Sequence, residues 1–224
     1  MPPKPKFTKE EIAAAALALV KEQGVEALTA RNLGSRLGAS ARPIFTVFKS
    51  MEEVKWAARE LALQEFERYF ADFASYTPAF KHIGMQMVSY AIHEPELFKL
   101  LFMQEHPRGV SFDSYLSELG SMSEISIGLI RRDYQLSEEE ARTLFVQMWV
   151  HTFGLGALCA MKVCDFDEQE IAEKLGQVFG GLLMMLRSGE INNYSIQPSK
   201  DGTRPMKAKK EAERRRETRE GKKR

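Results

Sequence analysis

The pattern that most restricts this chain is a helix-start signal repeated along it. A Ser, Thr or Asp followed three residues later by Glu occurs at Thr8/Glu11, Ser50/Glu53, Ser137/Glu140 and Asp167/Glu170, each time ahead of an apolar-periodic stretch. This is the sequence form of a capping box: the first side chain takes a free helix N–H and the Glu reaches back to the cap. Thr77-Pro78 adds another start, with proline at the first helical position. Runs of alternating β-branched residues are absent, and the one Asp-Gly, at Asp201-Gly202, lies in a polar stretch rather than between apolar runs. The chain is expected to be all-α.

The periodicity predicts helices at 8–23, 29–36, 40–47, 51–74, 78–93, 96–104, 112–132, 137–163 and 167–188. Gly24 and Gly189 stand where C-terminal glycine caps belong, and Glu94-Pro95 and His106-Pro107 punctuate the middle. Three segments follow from this. Residues 1–50 are a small three-helix domain, a long helix leads from it into a helical bundle over 51–190, and 191–224 is a tail. The tail beyond Gln197 is dominated by Lys, Arg, Glu, Pro and Gly, a composition that buries too little apolar surface to offset ordering.

Charge follows the same division. Basic and acidic side chains number 32 and 31 overall, but residues 1–50 carry +4, 51–196 carry −10 and 197–224 carry +7. A basic head and tail flank an acidic body, so near-neutrality is a cancellation.

Several classes are disfavoured. Two cysteines, Cys159 and Cys164, make no disulfide framework and fit a reduced, cytoplasmic compartment, and four scattered histidines offer no zinc spacing. Lys4, Lys6 and Lys9 before the apolar run 12–20 imitate a signal peptide, but Glu10 and Glu11 interrupt it. Residues 143–161 are uncharged for nineteen positions, yet Gln147, His151 and Thr152 lie inside, so a buried helix is expected rather than a membrane span. No nucleophile motif, phosphate loop or metal-ligating His pair appears, and neither an enzyme nor a cofactor is expected.

The most informative stretch is 28–49. Thr29 caps a short helix with the apolar pair Leu33/Leu37, Gly38 allows a tight turn, Ser40 caps a second short helix, and Ile44 and Phe48 supply its buried face. Two short helices about a glycine turn form a helix-turn-helix, whose second helix enters a major groove with its N-terminal residues leading. Thr29 sits at a positive helix terminus suited to a phosphate oxygen, with Arg31, Arg36, Arg42 and Lys49 around it, and Arg42 is placed to reach guanine. Pro43 falls in the first turn, where the missing N–H costs no bond. The DNA-contacting set is Thr29, Arg31, Ser40, Ala41, Arg42, Pro43, Phe45, Thr46 and Lys49.

On these residues the segment 8–55 resembles the DNA-binding domain of the TetR family of transcriptional regulators. The likeness rests on the Ala-rich first helix, Gly24, Leu28-Thr29, Leu33-Gly34, Leu37-Gly38-Ala39-Ser40, the pair Phe45 and Phe48, and Glu52-Glu53. Phe45, Val47 and Met51 stand where the family commonly has Tyr, His and Lys. Residues 56–190 resemble the family only in layout, which implies an effector-binding bundle ending in two dimerisation helices; the line from Glu94 to Phe102 is similar to a segment often found there.

Effector candidates are Tyr90, Phe102, Met103, Tyr115, Met122, Gln147, Met148 and His151, from an aromatic and methionine-rich stretch that adapts to apolar ligands. Gln147 and His151, one turn apart, are its polar members. Gly156, Ala160, Gly176, Gly180 and Leu183 are expected at the dimer interface, because small residues at near-four spacing let helices approach closely. The expected protein is a homodimeric repressor, released from a palindromic operator on double-stranded DNA by a small apolar effector and bound to no membrane. An effector-free DNA-coating protein and an α-bundle enzyme are the rival readings.

Overall fold

The computed structural model describes residues 5–105, 111–117 and 121–189; the basic tail 191–224 lies outside them. Among the described residues the secondary structure is helical throughout. Thr8 opens α1 (Lys9–Gln23), donating its N–H to Glu11 Oε2 at 2.8 Å and accepting that residue's N–H at 3.1 Å. Thr29 opens α2 (Ala30–Arg36) by accepting Asn32 N–H at 3.2 Å. Gly38, at φ +62°, turns the chain back, and α2 is pinned under the next segment by Gly34. A Cβ at Gly34 would stand 2.9 Å from the backbone carbon of Ser40 and 3.0 Å from the nitrogen of Ala41, so only glycine permits this approach.

The segment 40–47 differs from expectation. It forms no α-helix but a turn followed by one 3-10 turn over Ile44–Thr46, and Ser40 makes no capping bond. The bonds here are of the 3-10 kind, from Ile44 N–H to the Ala41 carbonyl at 3.1 Å and from Thr46 N–H to the Pro43 carbonyl at 3.2 Å, and Pro43 has no N–H of its own to add. The intended face survives the change. Ile44 and Phe48 are fully buried with Ile12, Ala16, Val20 and Leu33, while Arg42, Phe45 and Thr46 face outward.

Helix α3 (Met51–Tyr69) starts at Ser50, which accepts Glu53 N–H; Glu53 reaches past the cap to Lys49 N–H at 2.8 Å. It ends five residues sooner than expected, where Phe70 turns into the bundle and is buried. The bundle follows as α4 (Ala79–His93), α5 (Pro95–Phe102), α6 (Phe112–Ser117), α7 (Met122–Tyr134), α8 (Glu138–Ala160) and α9 (Glu168–Ser188). The single helix expected over 112–132 is thus two, α6 and α7. Capping boxes at Ser137 and Asp167 form as expected. Pro78 is itself the cap residue of α4, and the proline at a first helical position is Pro95.

Helix α8 has the length and apolarity of a membrane span, with mean hydropathy 1.3, but it runs through the bundle packed against α4, α5, α7 and α9. The head is fastened to this body through α1, which packs on α3 and α5 and pairs Lys21 with Glu65 at 2.6 Å.

Candidate nucleic-acid interface and ligand cavity

Of the four cations that sequence spacing sets around Thr29, three are exposed and unpaired among the described residues and one is paired. Arg31, Arg42 and Lys49 are exposed and make no ion pair among the described residues. Arg36 instead donates two hydrogen bonds to Glu22, at 2.7 and 2.6 Å, so its charge is already matched and it is not part of the free set. That pairing holds the Glu22 carboxyl below its ordinary range, chiefly through the hydrogen bonds. Thr29 is exposed but its oxygen is used as the cap, and Asn32 fastens the preceding loop by donating to the Ala27 carbonyl. Thr46 donates its hydroxyl to the Pro43 carbonyl at 2.6 Å, which closes the recognition turn. Ser40 is exposed, and Ala41 and Pro43 are half-buried beside it. Phe45 is 47% exposed, the one large apolar side chain so placed among the described residues of the head.

Within the bundle an apolar cavity opens between α3, α4, α7 and α8. Phe66, Phe70, Phe80, Ile83, Met87, Phe145 and Trp149 form most of its wall, with about 40 Å³ of open volume. Met122 and Met148 line it, as the sequence suggests. No charged side chain among the described residues does. Its polar members are Ser123, Ser126 and Thr152, and among the described residues these are the three buried polar side chains. Sequence reasoning passed over them; the signal available was a Ser pair three apart on an amphipathic helix and one Thr within the uncharged run.

The other effector candidates sit elsewhere. Tyr90 and Phe102 are buried beside the cavity, their rings 5.1 and 5.2 Å from Phe66, and form its outer packing rather than its wall. The Tyr90 hydroxyl is buried without a hydrogen-bond partner among the described residues, and burial pushes its pKa up from the ordinary phenol value. Tyr115 reaches the cavity indirectly, ring to ring with Trp149 at 6.4 Å. Met103 lines a separate groove of about 580 Å³ at the junction of head and bundle, with Trp56 and Arg59. Gln147 is corrected outright: it is exposed on the outer side of α8. The cavity side of that helix carries Phe145, Met148, Trp149 and Thr152, and at about 100° per residue Gln147 and its turn-mate His151 lie off that stripe. His151 is half-buried, its Nε2 without a partner among the described residues.

The expected dimer face also needs redrawing. Gly156 and Ala160 are buried inside the protomer, and a Cβ at Gly156 would stand 2.8 Å from the Phe98 ring, so this glycine serves the α5–α8 contact. Gly176 and Gly180 do face open space, as do Gly154 and Gly181, and Leu183 is half-buried on the same helix. Exposed beside them are Val150, Leu158, Met161 and, at 74%, Met184.

Residues 12–54 match the model for bacterial regulatory proteins of the tetR family. No curated protein matches the chain. Among solved structures, one of the fatty acid degradation regulator FadR from Bacillus halodurans is similar in fold, with TM-score 0.56 and 15% identity, covering 82% of this chain and 99% of that one. The head thus matches the tetR family over residues 12–54, and this match supports a DNA-binding transcriptional regulator.

Proposed function

We propose that this regulator is a homodimeric repressor which leaves a palindromic operator when a small apolar effector enters the bundle cavity. One observation carries the reading: α3 spans both sites. Its N-terminal half, with Val54 and Ala58, is packed in the hydrophobic core, where it meets the head, and its C-terminal turn places Phe66 in the cavity wall. Drug-sized ligands occupy pockets of roughly 300 Å³ or more, well above the 40 Å³ open here. An effector therefore has to displace Phe66, Phe70 and the adaptable Met122 and Met148, and a displaced Phe66 moves α3.

The two recognition turns of a dimer have to meet major grooves about 34 Å apart, so a small rotation of α3 abolishes simultaneous contact. The unpartnered apolar side of α8 and α9 supports the two-fold contact that sets this spacing, and the cytoplasm is where such a dimer meets DNA. The solved regulator of like fold is named for fatty acid degradation, and a wall of this chemistry suits hydrocarbon.

The test uses the full chain and a duplex selected from a randomised pool. Ligands that raise the melting temperature, as any ligand of the folded state does, are added while DNA affinity is followed by anisotropy. Affinity is expected to fall with ligand occupancy. A ligand that stabilises the protein and leaves DNA affinity unchanged refutes the coupling.

A further inference from the structure

A second chamber adjoins the cavity on its α9 side, and its chemistry differs. It has about 80 Å³ of open volume and shares Phe80, Gly84, Met148 and Thr152 with the first, so only those groups separate the two. Among the described residues its one charged lining side chain is Lys81, which is exposed and has no ion pair with any of them.

Lys81 lies in the first turn of α4, whose start differs from those of the four longest acid-started helices. Helices α1, α3, α8 and α9 begin with a side-chain cap and acidic residues; α4 begins at Pro78 with no side-chain cap and no acid in its first turn. Free N–H groups and the positive end of the helix dipole attract an anion, and a lysine there adds charge of the same sign, an arrangement unfavourable until an anion is bound. Pro78 and Lys81 both line the chamber.

We infer that the effector is an anionic amphipath, a carboxylate with an unbranched hydrocarbon tail. The carboxylate sits between the Lys81 ammonium and the start of α4, and the tail passes Thr152 and Met148 into the apolar cavity. The inference rests on the cavity being the effector site. Methionine is the side chain best able to clear that passage, being unbranched and mobile. A free carboxylate in the inner cavity would meet no cation, so the head belongs outside and the tail inside.

The experiment uses the full chain carrying Trp56→Phe, which leaves Trp149, on the inner wall, as the single tryptophan of the two in the sequence. Decanoate, kept below its micellar concentration, and 1-decanol are titrated against Trp149 emission. Both are expected to change it. Lys81→Gln should weaken decanoate about fivefold and leave decanol within about twofold, the size of one solvent-exposed ion pair. Ser126→Leu, which fills the inner cavity, should weaken both. An unchanged ratio of decanoate to decanol affinity in Lys81→Gln overturns the anionic head while leaving the effector cavity standing. If neither compound alters Trp149 emission, the effector reading itself falls, and this inference with it.

Discussion

The head and the bundle are made of the same material, capped amphipathic helices, but they leave opposite surfaces uncovered. Outside the head stand Arg31, Arg42 and Lys49 with a single aromatic, Phe45; outside α8 and α9 stand Val150, Leu158, Met161 and Met184 with glycines between them. Unpaired cations on a closed core look for a polyanion, whereas apolar side chains around exposed helix backbone look for another apolar helix. The difference matches the partners proposed above: DNA for one end and a second copy of the chain for the other.

Breaking the bundle side of this contrast should have the largest effect. Leu158→Glu with Met184→Glu is expected to give a folded monomer by sedimentation and circular dichroism. Without the second half-site, the operator complex should weaken roughly 10²- to 10⁴-fold, the usual gain from linking two modules. A double variant that stays dimeric would place the interface elsewhere. On the head side, Arg42→Ala and Lys49→Ala should each weaken the complex by roughly 5- to 150-fold, and the salt dependence should become shallower by about one for each phosphate that is no longer neutralised. An unchanged slope in both variants means that neither side chain neutralises a phosphate.

The two glycines of α8 sharpen the comparison between its sides. Gly156→Leu drives atoms into Phe98 and should destabilise the protomer by about 1–3 kcal/mol or more, read from the urea midpoint. Gly154→Ala meets nothing within 4 Å, so the protomer should gain up to about 1 kcal/mol of helix propensity while the dimer loosens. The smallest effect concerns the pair that removes Arg36 from the DNA face. Because Arg36 lowers the folded-state pKa of Glu22, its stabilisation is present above the unfolded value, about 4.3, and is lost as pH falls through the folded value. The stability difference between the parent and Arg36→Gln should therefore be constant near neutrality and vanish in acid. A difference that persists after Glu22 is protonated would assign Arg36 another role.

Local chemistry made most of the fold legible. Caps at Thr8, Thr29, Ser137 and Asp167 depend on residues within one turn of each other, and all four form. The 40–47 segment departs from an α-helix equally locally, through i→i+3 bonds around Pro43, which the stronger glycine-turn pattern masks. The cavity was less legible. Met122 and Met148 stand on its wall as expected, but Gln147, chosen because it is polar in an apolar run, points outward, while Ser123, Ser126 and Thr152, which look ordinary in sequence, point in. Polarity alone does not tell a pocket group from a surface group; the angle around the helix does, and that angle depends on what packs against it.

The sequence by itself determined most of the helices, the contrast between a basic head and an acidic bundle, and the glycine turn of the head, because these are set by neighbours within a few positions or by summed charge. Tertiary structure alone decided which glycines touch a partner helix, that Arg36 is spent on Glu22, and that Lys81 stands at the mouth of an apolar chamber. Each of those is a meeting of residues at least ten positions apart, and its outcome depends on how whole helices rotate and pack.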